Sequence, residues 1–188
     1  MKSPGVRVST GSLRGRRLEV PPGIRPTEQK VREALFSIWG DRLREANLLD
    51  LFAGSGAVAI EAISRGAFAV TVVESSRAVV EVQKRNLALL PAGSYRLIAQ
   101  PVERALQELQ KRGAAFDLVF ADPPYAWIPD AAFFAGCSAL LLPGGELTVE
   151  HSARVELPLE PAEVVRTNSR RYGESALTFY GKKAVPAG

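Results

Sequence analysis

Two short segments hold the residues whose types and spacing suit chemistry: Asp50-Leu51-Phe52-Ala53-Gly54-Ser55-Gly56-Ala57 and Asp122-Pro123-Pro124-Tyr125. In the first, Gly54 and Gly56 stand one residue apart just before an apolar stretch of helical length. Lacking side chains, they let backbone approach a ligand closely, and the N–H groups that open a helix at Ala57 offer it donors. A nucleotide-like cofactor fits such a loop. The position of the third glycine in the full dinucleotide pattern is Ala59, which the looser form tolerates. A Gly-Lys-Ser/Thr phosphate loop is excluded, because no lysine lies between Lys30 and Lys84.

Glu74 ends the next apolar run and is followed by Ser75. Its carboxylate can accept both hydroxyls of an adenosine ribose, a feature shared by nicotinamide and S-adenosylmethionine sites. The tetrapeptide at Asp122 chooses between them. Two consecutive prolines fix φ and remove donors, so the carbonyls of Asp122 and Pro123 are held rigidly with no local N–H to satisfy them. An amino group on an aromatic base brings two N–H bonds. If the Asp122 carboxylate and the Pro123 carbonyl accept them, the nitrogen is drawn toward sp³ geometry and its lone pair turns toward a methyl donor. Tyr125 then offers a flat face for stacking the base. Together the glycine loop and Asp122-Pro123-Pro124-Tyr125 resemble the class I S-adenosylmethionine-dependent amino methyltransferases, which implies methyl transfer from S-adenosylmethionine to an exocyclic amine, with Asp122, Pro123, Pro124 and Tyr125 around the target. No metal site is expected: His151 is the single histidine and reads as structural or peripheral, and Cys137 as helix packing.

These segments need a scaffold that brings them together. From residue 47 short apolar runs alternate with amphipathic stretches. Asn47 to Phe52, Val70 to Glu74, Tyr95 to Ala99, Asp117 to Ala121 and Glu146 to Glu150 read as strands; Ala57 to Arg65, Arg77 to Leu90, Val102 to Arg112 and Ala131 to Leu140 read as helices. Such alternation predicts an α/β, doubly wound, mostly parallel sheet covered on both faces, with ligands at the carboxyl ends of the strands. Before it, Val6 to Thr10 and Arg17 to Val20 flank Gly11 and Gly15 and predict a hairpin with arginines at its tip. Thr27 is placed to cap a helix whose apolar face is Val31, Ala34, Leu35, Ile38 and Trp39. After it, Glu163 to Asn168 and Ala176 to Tyr180, joined by Arg170-Arg171-Tyr172-Gly173-Glu174, predict a terminal antiparallel hairpin. The organisation expected is a basic hairpin extension over residues 1–25 and a Rossmann-like domain over 26–188.

The 188 residues, 46% hydrophobic and 23% charged, suit a single globular domain. The longest uncharged stretch, Ala131 to Gly145, is broken by Pro143-Gly144-Gly145 and falls short of the roughly 18 apolar residues of a membrane span. Residues 1–5 lack the apolar core of a secretory signal and one cysteine forms no internal disulfide, so a cytoplasmic protein is expected. Charge is lopsided. Residues 1–25 carry net +5 and residues 164–188 net +4, so in a chain of net +4 the body between them carries −5. Basic ends suit a polyanionic partner.

Taken together, Gly11-Ser12-Leu13-Arg14-Gly15-Arg16-Arg17-Leu18, Arg25-Pro26-Thr27, Val31-Arg32-Glu33-Ala34-Leu35-Phe36, the glycine loop, the tetrapeptide and Tyr172-Gly173 resemble the RsmD family of bacterial 16S ribosomal RNA guanine-N2 methyltransferases. The resemblance implies S-adenosylmethionine as donor and, as substrate, 16S rRNA in the small ribosomal subunit or an assembly intermediate. It places Asp50, Ala53, Gly54 and Gly56 at the methionine end of the cofactor, Glu74 at its ribose and Asp122 to Tyr125 at the base, with Phe52, Ser55 and Ser75 as further cofactor contacts. One departure is Gln100-Pro101-Val102 after the third core strand, where an acidic or amide residue often holds the adenine amine; Gln100 and the Val102 N–H are the substitutes here. Arg7, Arg14, Arg16, Arg17 and Arg25 are the RNA-binding candidates. Rival readings are a DNA adenine-N6 or cytosine-N4 methyltransferase, a protein-glutamine methyltransferase, and a non-catalytic RNA-binding assembly factor on the same fold.

Overall fold

The computed structural model describes residues 6–23, 29–124 and 126–183. A seven-stranded sheet is assembled from β3 (Asn47–Leu51), β4 (Ala69–Val73), β5 (Tyr95–Ile98), β6 (Phe116–Ala121), β7 (Leu141–Ser152), β8 (Val164–Tyr172) and β9 (Ser175–Lys182). Their spatial order is β5-β4-β3-β6-β7-β9-β8. The first five in that order are parallel, and β9 and β8 add antiparallel. The helices are α1 (Gln29–Trp39), α2 (Ala57–Ser64), α3 (Arg77–Leu87), α4 (Val102–Lys111) and α5 (Ala131–Leu140). A small hairpin pairs β1 (Val6–Arg7) with β2 (Arg17–Leu18).

Two apolar layers hold the sheet, and strand alternation divides them. Leu48, Val70, Val72, Leu118, Phe120, Leu177 and Phe179 face α1 and α2, while Leu49, Leu51, Val119, Val149 and Tyr180 face α4 and α5. Leu48, Leu49 and Leu51 are all fully buried, each stabilising the fold by about 1.5–3 kcal/mol relative to an exposed side chain. Both faces of β3 are therefore apolar, as a central parallel strand requires.

Three expectations change in detail. The buried face of α1 is Val31, Arg32, Leu35, Phe36 and Trp39, rotated from the predicted stripe because Arg32 is held inside by its bond to the Arg7 carbonyl at 3.0 Å. Thr27, the expected cap, lies outside the described residues. β7 starts at Leu141, not Glu146: a register shift opposite Phe116 and Leu118 and a positive φ at Gly144 let the strand absorb Pro143-Gly144-Gly145. At the terminal hairpin, Arg170 and Arg171 are paired residues of β8, not a loop; the turn is only Gly173-Glu174, with Gly173 at φ 62°. Arginines fit there because their side chains reach solvent at a sheet edge.

The N-terminal hairpin is short but firmly seated. Val8 and Leu18 are buried in the same cluster as α1 and α2. The loop between its strands lies against the end of α2. Fully buried Glu61 accepts from Ser9 N (2.8 Å), Ser9 Oγ (2.7 Å), Thr10 N (3.1 Å) and Arg65 Nε (2.9 Å). Ser64 accepts through its carbonyl from Ser12 N at 2.9 Å and through Oγ from Leu13 N at 2.9 Å. Gly11 is required: at φ 84° a Cβ there would stand 1.7 Å from the Ser64 carbonyl oxygen.

Candidate functional site

Strand order reverses between β3 and β6, so the loops leaving these neighbours open a crevice at the carboxyl edge of the sheet. The crevice is a cavity of about 590 Å³. The glycine loop after β3 forms one side, through Phe52, Ala53, Gly54 and Ser55, and Asp122, Pro123 and Pro124 after β6 form another. Glu74 and Ser75, after β4, close a third. Tyr125 lies outside the described residues.

The glycine loop is shaped by backbone that L side chains rarely adopt: φ is 58° at Phe52, 53° at Gly54 and 77° at Gly56. Gly56 does not line the cavity but packs on α3, 3.5 Å separating a hypothetical Cβ from Gln83 Cγ. Phe52, a non-glycine in left-handed backbone, carries strain of order 1–3 kcal/mol. Its ring is braced by Trp127 at 5.0 Å, which packs on Phe133 at 4.9 Å. Trp127 also donates its backbone N–H to the Pro124 carbonyl at 2.7 Å. One tryptophan thus ties the turn of the tetrapeptide to the glycine loop.

Glu74 organises the opposite side. Its Oε2 accepts from Gly54 N at 3.1 Å and its Oε1 from Ser76 N at 2.8 Å. From behind, Gln83 donates to the Gly54 carbonyl at 3.1 Å and Asn86 to the Ser55 carbonyl at 2.8 Å. Asn86 also exchanges a pair of bonds with the Glu19 backbone, both 2.9 Å, which carries the following Pro22 and Gly23 to the cavity mouth.

The cavity floor holds Asp50, 1% exposed, whose Oδ2 has no hydrogen-bond partner among the described residues. Burial, reinforced by Asp122 and Glu74, pushes its carboxyl well above the usual range, opposed only by a backbone hydrogen bond from Ala59. A buried acid with an unused oxygen, beside a backbone cradle and the Glu74 carboxylate, fits a cationic ligand with a nucleoside end. S-adenosylmethionine has that chemistry.

Gln100 and Val102 lie elsewhere. Gln100 donates its amide to Glu108 at 2.9 Å, and Val102 is buried at the start of α4; neither lines the cavity. Residues that sequence reasoning missed do line it: Pro22, Gly23, Val58, Ser76, Val79 and Phe120. Gln83 and Asn86 left a readable signal, being polar groups on the otherwise apolar face of α3 with Val79, Val82 and Leu87.

Arg7, Arg14, Arg16 and Arg17 are exposed, and Arg25 lies outside the described residues. Because α2 starts in the glycine loop and the hairpin turn sits on its last residue, Arg14 and Arg16 stand near the opposite edge of the sheet. The separation is about one length of α2, ~12 Å for eight residues. No group of metal-ligating side chains occurs among the described residues.

The model of the family described as Conserved hypothetical protein 95 matches residues 6–181. The chain belongs to this family, the RsmD family. Ribosomal RNA small subunit methyltransferase D of Escherichia coli (strain K12), an RsmD protein, is 34% identical over 183 residues, spanning 95% of this chain and 91% of its own. Among solved structures, the Escherichia coli chain yhhF matches with a TM-score of 0.84 and 34% identity over 96% of this chain and 99% of that one. A Thermus thermophilus protein matches at 0.79 and 36%, over 95% and 99%. The RsmD-family fold is thus shared over almost the whole chain.

Proposed function

We propose that this RsmD-family protein transfers a methyl group from S-adenosylmethionine to the exocyclic N2 amine of a guanine in 16S ribosomal RNA, within the small subunit or an assembly intermediate. The observation that carries the reading is the meeting of Asp122-Pro123-Pro124 with Asp50 and Glu74 around one cavity. When bound, S-adenosylmethionine supplies an electrophilic methyl on a sulfonium.

The chain's own groups bind, orient and hold. Asp50 and the Phe52–Ser55 segment receive the amino-acid end of the cofactor, and the Glu74 carboxylate the ribose hydroxyls. The Asp122 carboxylate and Pro123 carbonyl accept the two hydrogens of the target amine, turning its lone pair toward the methyl group; rigid prolines make that alignment cost no reorganisation. Tyr125 stacks on the base, worth ~1–3 kcal/mol. Arg7, Arg14, Arg16 and Arg17 meet RNA phosphates away from the target base, and Arg25 is a further phosphate contact. The substrate places the protein in the cytoplasm; no helix of the described residues is long and apolar enough to cross a membrane.

The test is methyl transfer from labelled S-adenosylmethionine to unmodified small subunits, naked 16S RNA and duplex DNA, followed by nucleoside mass analysis. N2-methylguanosine from the ribosomal samples supports the reading; methyladenine or methylcytosine in DNA overturns it. Asp122→Ala should lower the rate by ~10²–10³ while RNA binding survives. Wild type that binds RNA without methylating it, with Asp122→Ala losing only that binding, instead marks a scaffold.

A further inference from the structure

A second concavity lies on the same edge of the sheet as Asp122, two to three strands along. Ala121, the last residue of β6, pairs with Val149, whereas β7 continues to Ser152 and the β8–β9 turn closes beyond the Tyr172–Ser175 pair. Three extra residues raise a wall about 10 Å high beside the catalytic loop. On the face of the wall toward α4 and α5, His151, Ala176 and Arg171 form one cross-strand row, with Thr178 and Ser169 in the row below. The segment after β7 bounds the other side, enclosing about 420 Å³.

The concavity is built for an anion. Arg154, Arg166 and Arg171 line it against one carboxylate, Glu156. Arg166 is anchored by its bond to the Leu157 carbonyl at 3.1 Å, and Glu156, largely exposed, stands 3.8 Å from it. Arg154 meets Glu174 at 2.9 Å with both side chains over two-thirds exposed, a pair that solvent screens to little. Arg171 donates Nε to the Gly173 carbonyl at 3.0 Å, which fixes its direction while the side chain stays exposed. His151, Thr178 and Ser169 join through contacts of 2.8 and 2.9 Å, so hydroxyls stand beside the guanidiniums. Burial, reinforced by Arg166, holds the imidazole below its usual range.

Its position complements the hairpin arginines near the far edge. An RNA with a base at Asp122 must lead its backbone out over this edge, and Arg171, three strand spacings from β6, stands about 14 Å away. We propose that the concavity lined by Arg154, Arg166, Arg171, Ser169 and Thr178 binds a backbone phosphate of the substrate RNA a few nucleotides from the target base, an inference that rests on the RNA methyl-transfer reading above. It assigns the charge of the C-terminal hairpin a role next to the chemistry.

The test uses the full chain, unmodified small subunits and three single variants, Arg171→Ala, Arg171→Lys and Arg154→Ala. Arg171→Ala should raise KM for the subunit ~5–10-fold and lower the slope of log affinity against log salt by about one, with kcat at saturating RNA and S-adenosylmethionine affinity within twofold of wild type. Arg154→Ala, at an exposed pair that can be lost without unfolding, should move KM the same way, and Arg171→Lys should recover part of the loss. KM and salt slope unchanged in both variants, with wild type active on RNA, overturn the subsite alone; a wild type inactive on RNA overturns the reading beneath it. If inorganic phosphate raises the wild-type melting temperature, Arg171→Ala abolishes that rise, and KM for RNA does not move, the site holds a free anion and the RNA assignment is overturned.

Discussion

Removing the Asn86 carboxamide tests whether α3 builds the cofactor loop. Its side chain is 3% exposed and makes three bonds: Nδ2 to the Glu19 carbonyl at 2.9 Å and to the Ser55 carbonyl at 2.8 Å, and Oδ1 from the Glu19 N–H at 2.9 Å. Each contributes ~0.5–1.5 kcal/mol net, and Asn86→Ala leaves their partners poorly solvated, so a loss of about 2–4 kcal/mol is expected. For a chain of this size that lowers the melting temperature by about 4–16 °C. Because the Ser55 carbonyl and the segment leading to Pro22 are both released, KM for S-adenosylmethionine should rise ~10-fold while kcat at saturation falls less than threefold. Asn86→Asp turns a carboxylate on two carbonyl oxygens; it should be no more stable than the alanine variant at pH 8 and should regain stability as the pH falls and the acid protonates. Denaturant melts with calorimetric binding titrations provide the readout. A stability loss under ~1 kcal/mol, or a change confined to kcat, would refute the idea that Asn86 joins the N-terminal segment to the loop.

Three further outcomes follow from groups already placed. Burial holds Asp50 protonated in the fold above its ordinary 3.8, so the folded state binds the extra proton and this group's contribution to stability falls as pH rises from about 4 toward the folded value. Asp50→Asn should therefore melt higher than wild type at pH 8 without cofactor, yet bind S-adenosylmethionine at least ~10-fold more weakly; a lower melting temperature contradicts the assignment. Glu61→Ala strips the acceptor from Ser9, Thr10 and Arg65. It should cost ~3–5 kcal/mol and speed tryptic cleavage at Arg14, Arg16 and Arg17; unchanged proteolysis argues that the apolar contacts of Val8 and Leu18 suffice. Cys137 is fully buried and burial pushes its thiol up, so alkylation at pH 8 should proceed only at the rate of unfolding, and rapid labelling of folded protein contradicts the packing of α5.

The parallel strands were legible because each is a short apolar run between amphipathic helices, and the two motifs could be placed at their ends because loops in this architecture leave there. What escaped were contacts made over long sequence separations. Nothing in Pro22-Gly23 signals a cavity wall; the segment is brought there by Glu19 and Asn86, 67 residues apart. Gln100 sits where an adenine contact was expected, but Glu108, one helical face away, offers a charged acceptor that turns it aside. Arg170 and Arg171 read as a turn because adjacent charges beside a glycine suit a loop, whereas an edge strand with solvent beside it accommodates both. Charge marks the hairpin arginines as RNA candidates, but it says nothing about which edge of a sheet a hairpin reaches until its partners on α2 are known.

The placement of β9 between β7 and β8 bears on how the chain is made. The residues that surround the cavity are complete once Pro124 has been synthesised, but β7 then lacks its outer neighbour. That neighbour is β9, which follows β8 in the chain and precedes it in space. A nascent chain must therefore keep β8 waiting, unpaired, until Ser175–Lys182 emerge to slot between the two. During that interval the edge of β7 is open to pairing with other chains. A ribosome stalled before Lys182 would hold a product with its cavity walls synthesised and its sheet unfinished, the form in which this protein is most exposed to aggregation.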